Sequence, residues 1–91
     1  MNLSHLRYFV ELAHVQHYTR TAERLCITQP SLSHAISQLE GELGVPLFEK
    51  NGRSISLTQY GEQFLACAQE TLSILDEGVE SLQRVSRGEG L

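Results

Sequence analysis

The stretch Thr28–Phe48, TQPSLSHAISQLEGELGVPLF, constrains the fold more tightly than any other part of the chain. Thr28 offers a side-chain oxygen to the free N–H groups of a helix's first turn, and Pro30 is tolerated only within that turn. Leu32, Ile36, Leu39 and Leu43 then recur at helical spacing and form an apolar stripe. The opposite side carries Gln29, Ser31, Ser33, His34, Ser37 and Gln38, short hydrogen-bonding side chains with almost no charge before Glu40. A helix face exposed only to water usually carries Glu and Lys instead. Gly44 is a natural stop for the helix, and Pro46 prevents its continuation. A capped helix with one apolar and one uncharged polar face suits insertion into a groove, and so points to DNA.

Upstream, the pattern predicts a helix from about Leu3 to His14, capped by Asn2, with Leu3, Leu6, Phe9, Val10 and Ala13 on its buried face. A second, short helix from about Tyr18 to Leu25 buries Tyr18, Ala22 and Leu25. Cys26-Ile27 forms a tight turn into the third helix, so the pair reads as a helix-turn-helix unit. Downstream, Pro46–Leu57 reads as a hairpin with arms Leu47–Glu49 and Ser54–Leu57. Its tip, Lys50-Asn51-Gly52-Arg53, contains Asn-Gly, a strong turn signal because both residues tolerate positive φ. The hairpin is then a small wing with basic residues at its end.

Thr58 caps a fourth helix that no proline interrupts from Gln59 to about Arg87. Leu65, Ala68, Leu72, Leu75, Val79 and Leu82 alternate by three and four, a heptad seam expected to pair with a second chain. At about 1.5 Å per residue this helix is roughly 40 Å long, more than the residues before it could cover. The organisation predicted is a winged head over 1–58, a linker and dimerisation helix over 59–87, and the start of a hinge over 88–91.

The chain's 91 residues carry a net charge of −4, which at first sight argues against nucleic acid. Its distribution removes the objection. Residues 1–58 hold five basic and five acidic groups, while residues 59–91 hold two basic and six acidic. All the excess acid therefore lies in the last third, and a neutral head with basic tips is compatible with phosphate contacts. A hydrophobic share of 41% permits a core, but a chain this short often gains stability by association. Cys26 and Cys67 lack metal or redox spacing and are read as reduced, buried packing residues. No signal peptide or apolar run of membrane-spanning length occurs, so the expected compartment is cytoplasmic.

Taken together, Leu6-Arg7-Tyr8-Phe9-Val10, Thr19-Arg20-Thr21-Ala22-Glu23-Arg24-Leu25, Thr28-Gln29-Pro30-Ser31-Leu32-Ser33, Ile36, Leu39-Glu40 and Glu42-Leu43-Gly44-Val45 resemble one family. Leu47-Phe48, Arg53, Leu57-Thr58 and Gly61 extend the match over essentially the whole chain. It resembles the N-terminal DNA-binding domain of LysR-type transcriptional regulators. The resemblance implies a mainly α fold, with three helices and a two-stranded wing, followed by a linker helix that dimerises antiparallel. It also implies a longer protein whose two-lobed C-terminal domain binds a small-molecule inducer, with no cofactor in the present domain. Such regulators usually bind promoter DNA as tetramers at an interrupted palindrome. Two heads held only by linker helices are expected to form a homodimer that binds more weakly.

Within that frame the base readers are Gln29, Pro30, Ser31, Ser33 and His34, at the start of the second helix of the unit. Gln29 can meet an adenine edge or a phosphate. Pro30 can meet a thymine methyl group or simply start the helix. His34 departs from the arginine common in the family, which removes a possible guanine contact. Lys50 and Arg53 are expected at the flanking minor groove or its phosphates, and Thr19, Arg20, Arg24 and Thr28 on the backbone. For Arg24 a surface ion pair with Glu23 or a neighbour is the competing reading. Ser37 and Gln38 lie further along the helix. His14 and His17, three apart, could hold a metal only with further ligands that the nearby sequence lacks, so they read as surface histidines. No catalytic constellation is recognisable. Two other readings remain: a stand-alone small winged-helix repressor, and a coiled-coil module whose head binds protein.

Overall fold

Each of the four helices described starts on a side chain that accepts a hydrogen bond from its own first turn. In the computed structural model, which describes residues 1–88, Asn2 accepts from His5 N–H at the head of α1 (Leu3–Val15). His17 Nδ1 accepts from Arg20 N–H and opens α2 (Tyr18–Leu25). Thr28 does the same for α3 (Gln29–Leu43) and Thr58 for α4 (Gln59–Ser86). Between α3 and α4 lie β1 (Phe48–Asn51) and β2 (Ser54–Leu57), an antiparallel pair. The fold is the mainly helical winged helix-turn-helix with a long following helix that the sequence predicts. The caps at Asn2, Thr28 and Thr58 are those expected; that at His17 is not.

The first three helices each end on a left-handed residue, at Gln16 (φ 58°), Cys26 (φ 58°) and Gly44 (φ 75°). At Cys26 the backbone N–H turns back to the carbonyls of Ala22 and Glu23, which satisfies the end of α2 and reverses the chain into α3. That conformation directs the Cys26 side chain to solvent, where a buried packing residue is expected. Cys67 is exposed as well, on the rim of a groove formed with Leu43, Val45, Tyr60 and Phe64. Neither cysteine fills the core.

The core gathers Leu6, Phe9 and Leu12 of α1, Ala22 of α2, and Leu32, Ile36 and Leu39 of α3, with Leu47 and Ile55 beneath. Phe9 is its centre, with ring centroids 5.6 Å from Phe48 and 5.4 Å from Phe64. Leu3, expected on the buried face of α1, is exposed, and Leu12, which that expected face leaves out, is fully buried. The buried stripe of that helix runs Leu6–Phe9–Leu12–Ala13, and Leu3 lies one turn outside it. Thr21 is the one buried polar residue described, and its hydroxyl donates to the His17 carbonyl at 2.7 Å.

The hairpin turn is tighter than expected, and β1 runs two residues further. Asn51 pairs with Ser54 and Lys50 with Ile55, so the turn is the two residues Gly52-Arg53 rather than a four-residue tip. Positive φ falls on Gly52 (66°) and not on Asn51, whose amide donates to Ser56 Oγ across the ladder. One positive-φ glycine at the first turn position fits the twist of a two-residue hairpin.

The first half of α4 shares the core of the head. Ala68 and Leu72 are buried there, and Leu65 is packed against it. This corrects the expectation that Ala68 and Leu72 form a seam between chains, because both are already covered within one protomer. Arg7 of α1 donates to both carboxylate oxygens of Asp76, at 2.9 and 3.4 Å, and Gln69 lies 2.8 Å from His14 Nε2. Beyond Asp76 the helix stands clear, with Val79, Leu82 and Val85 exposed, and Leu75 just short of them. Gly88 has φ 79°; the rest of the expected hinge, 89–91, lies outside the described residues.

Candidate nucleic-acid interface

The start of α3 is an exposed polar surface on a rigid apolar base. Leu32, Ala35, Ile36 and Leu39 are buried behind it, while Gln29, Pro30, Ser31, His34, Ser37 and Gln38 are exposed and Ser33 is half-buried. Two of the serines are engaged locally. Ser31 donates its N–H to Thr28 Oγ1 at 3.2 Å, and the Thr28 hydroxyl donates to Ser31 Oγ at 2.8 Å. Gln29 Nε2 donates to Ser33 Oγ at 3.0 Å, one turn further on. His34, Ser37 and Gln38 extend the same exposed face along the helix.

The wing approaches the start of α2. Lys50, Gly52 and Arg53 line a cleft of about 300 Å³ together with Gln16, His17, Tyr18 and Thr19. Strand alternation turns Glu49 to the face opposite Lys50, so the adjacent acid does not share the cleft. Thr19 and Arg20 are exposed on α2. Arg24, expected on the DNA backbone, is held instead by an ion pair with Glu11 of α1. The ion-pair reading is therefore the one the structure supports, with Glu11 rather than Glu23 as partner.

Glu40 was not singled out as a site residue, yet it sets the root of the wing. Its carboxylate accepts from Leu47 N–H at 2.6 Å and Phe48 N–H at 3.4 Å, anchoring β1 to the end of α3. Burial, and to a lesser degree the charge of Glu40, push the Tyr18 phenol above its ordinary value. The only sequence signal for this role is an isolated acid on an otherwise uncharged helix face. At the same root of the wing, the Thr58 hydroxyl donates to the Pro46 carbonyl at 2.6 Å. Hydrogen bonds at its root thus tie the hairpin to the end of α3 through Glu40 and close its two strands through Thr58.

His14 and His17 do separate jobs, one beside Gln69 and the other capping α2. Among the described residues, no three His, Cys, Asp or Glu side chains group as metal ligands. No described helix is long and apolar enough to cross a membrane.

Three helices, a wing against the second, and a polar leading face on the third define a winged helix-turn-helix domain. Residues 3–62 match the family described as bacterial regulatory helix-turn-helix protein, lysR family. The chain belongs to that family and is its DNA-binding domain. It is 51% identical to the uncharacterized HTH-type transcriptional regulator YybE of Bacillus subtilis (strain 168) over 91% of this chain. It is 43% identical to the HTH-type transcriptional regulator BudR of Klebsiella aerogenes over 97%. The chain spans 28% of the first relative's length and 62% of the second's. Among solved structures, the DNA-binding domain of BenM in complex with catB site 1 DNA superposes with a TM-score of 0.91 at 42% identity. That superposition covers 97% of this chain and 95% of the other.

Proposed function

We propose that this chain is one reading head of a homodimeric transcriptional regulator, binding double-stranded promoter DNA with α3 in the major groove and the wing at the flanking minor groove. The observation that carries the proposal is the shared placement of an uncharged polar face at the start of α3 and two wing cations beside the start of α2. Gln29, Pro30 and His34 meet base edges, and Ser31 and Ser33 stand beside them. Lys50 and Arg53 meet the minor groove or its phosphates. Thr19, Arg20, Thr28, Ser37 and Gln38 meet the backbone.

Homodimerisation uses the free half of α4. The row Leu75, Val79, Leu82 supplies the apolar face, and a second copy of α4 covers it, while Leu65, expected in the same seam, packs on its own head. Residues 59–87 are then the dimerising linker, and 88–91 lead toward a further domain that takes a small-molecule inducer and supports tetramers in the longer protein. The working compartment is the cytoplasm, where promoter DNA is found. The chain performs no catalysis in this role.

The experiment is a fluorescence-anisotropy titration of promoter DNA against the dimer over a salt series, with sedimentation of the protein alone. Sequence-selective binding that weakens steeply with salt, from a species of twice the monomer mass, is the expected result. A monomer at tens of micromolar would remove the dimer. Salt-insensitive or absent DNA binding would remove the reading function.

A further inference from the structure

The groove beside Cys67 continues without a break onto the free half of α4. Leu43 and Val45 line it with Tyr60, Phe64 and Cys67, around a space of about 290 Å³. Followed along the helix in steps of three and four, the same face passes to Ile74, Leu82 and Val85, which are 64%, 69% and 48% exposed. Glu62, Asp76 and Glu80 lie across the helix from it. Gly78 sits in the middle of this face, and a Cβ built there would meet nothing of its own protomer beyond the helix backbone. Glycine inside a helix is destabilising, and neither positive φ nor crowding within the chain calls for one at this position.

We infer that the groove is the dock for the far end of a second copy's α4, Leu82 and Val85, in an antiparallel pair that sets Cys67 of each chain against Gly78 of the other. The inference rests on the homodimer proposed above and brings the head into its interface. The face is self-complementary about a two-fold axis at the level of Leu72 and Ser73. That axis brings Tyr60 opposite Val85, Phe64 opposite Leu82, Cys67 opposite Gly78 and Thr71 opposite Ile74. A two-fold contact of this kind uses one patch twice. Gly78 gives the helices room to approach where Cys67 crosses it. A parallel pair would instead stack Phe64 on Phe64 and Gly78 on Gly78, and would crowd both heads at one end. The groove on one head and the uncovered end of the other helix thus complete each other.

Gly78→Cys tests the register by mild oxidation of the purified chain. The expected product is a reducible species of twice the monomer mass, in which peptide mapping joins position 67 to position 78. A disulfide needs a Cα separation of about 4.4–6.8 Å, which only closely facing positions meet. Combining Cys67→Ser with Gly78→Cys should abolish the product, and the unaltered chain should form none through Cys67. Tyr60→Glu, on the wall of the groove, and Leu82→Glu, at the exposed end of α4, should each raise the dimer dissociation constant about tenfold or more in sedimentation. Helical content should stay unchanged in both, since each side chain is exposed in the protomer. A dimer of Gly78→Cys that fails to cross-link, or that joins 67 to 67 or 78 to 78, would overturn the register. A dimer left intact by Tyr60→Glu would overturn the dock while leaving the pairing of the free helix ends. A monomer of the unaltered chain at tens of micromolar would overturn the homodimer itself, and the dock with it.

Discussion

Gly61 lies against the backbone carbonyl of Leu47, so closely that a Cβ built on the glycine would fall inside that oxygen's contact radius. The same Cβ would come within 2.9 Å of Leu57 Cδ2. The first turn of α4 is thereby seated on the strand that enters the wing. Thr58 reinforces the seat, donating its N–H to Leu47 O at 3.0 Å. Because the obstacle is backbone, it cannot rotate away. Gly61→Ala is expected to destabilise the domain by about 2–3 kcal/mol, the upper part of the range for overpacking a tight contact. Urea unfolding measures it. A change under about 0.5 kcal/mol, the size of an ordinary surface substitution, would mean that α4 shifts freely on the head.

A second prediction concerns the α1–α4 contact. The hydrogen bond from the Arg7 guanidinium, aided by its charge, holds the Asp76 carboxyl below its usual value, while partial loss of water opposes this more weakly. A carboxyl more acidic in the folded chain stabilises it fully above the unfolded pKa. That contribution is lost as pH falls through the lowered folded value. Acid should therefore weaken the hold of α1 on α4 only below about pH 4, the ordinary Asp range. Arg7→Ala is expected to return the Asp76 titration, followed by carboxyl-carbon NMR, to that range. An unmoved Asp76 titration would show that Arg7 does not set it.

The turn of the helix-turn-helix offers a stabilising substitution. Cys26 adopts φ 58° with a side chain exposed to solvent, a conformation that costs L residues roughly 1–2 kcal/mol and glycine much less. Cys26→Gly is expected to raise stability by about 0.5–1 kcal/mol, after the added freedom of the unfolded chain is subtracted. A rise in the thermal midpoint with α2 intact by NMR shifts is the readout. A fall would show that the Cys26 side chain makes a contact the turn depends on.

What the sequence makes legible, and what it hides, divides along physical lines. The caps at Asn2, Thr28 and Thr58 are readable because each is a short polar side chain just before an apolar period. The end of α2 at Leu25 is readable from the break before α3, but the left-handed conformation at Gln16 and Cys26 is not, because no glycine marks it. The heptad pattern of α4 is real, but periodicity gives a face and not the owner of what covers it. Ala68 and Leu72 turn out to face their own head. The wing register also escapes, since Asn51-Gly52 and Gly52-Arg53 are both plausible turns until pairing selects one. Glu40 and the Gln29–Ser33 bond depend on side-chain geometry that no residue spacing specifies.

On DNA, Arg53 separates affinity from selectivity. It occupies the second position of the two-residue wing turn, exposed, with Lys50 two residues inward from Gly52. A cation at a minor-groove or phosphate contact adds about 0.9 to the log–log salt slope. Arg53→Ala is expected to weaken all operator sequences alike and to flatten the slope by about that amount per head. A loss confined to particular sequences, at unchanged slope, would make the wing a base reader instead.

His34 is the position where reading should be most readily altered. It is exposed on the same face as Gln29, one turn and a fraction along, with Ala35 and Ile36 buried behind it. An imidazole presents one donor or acceptor at each nitrogen, whereas a guanidinium presents a fork that matches the two acceptors of guanine. His34→Arg is therefore expected to gain roughly 1–3 kcal/mol of preference for guanine at one inner base pair of each half-site. The pairing at Gln29 should be untouched, because its amide is held by Ser33 and not by His34. In vitro selection with both proteins compares the two sites directly. The same preferred base at every position would show that His34 does not face the groove. A shift at the Gln29 base pair would show instead that the two side chains read one base together.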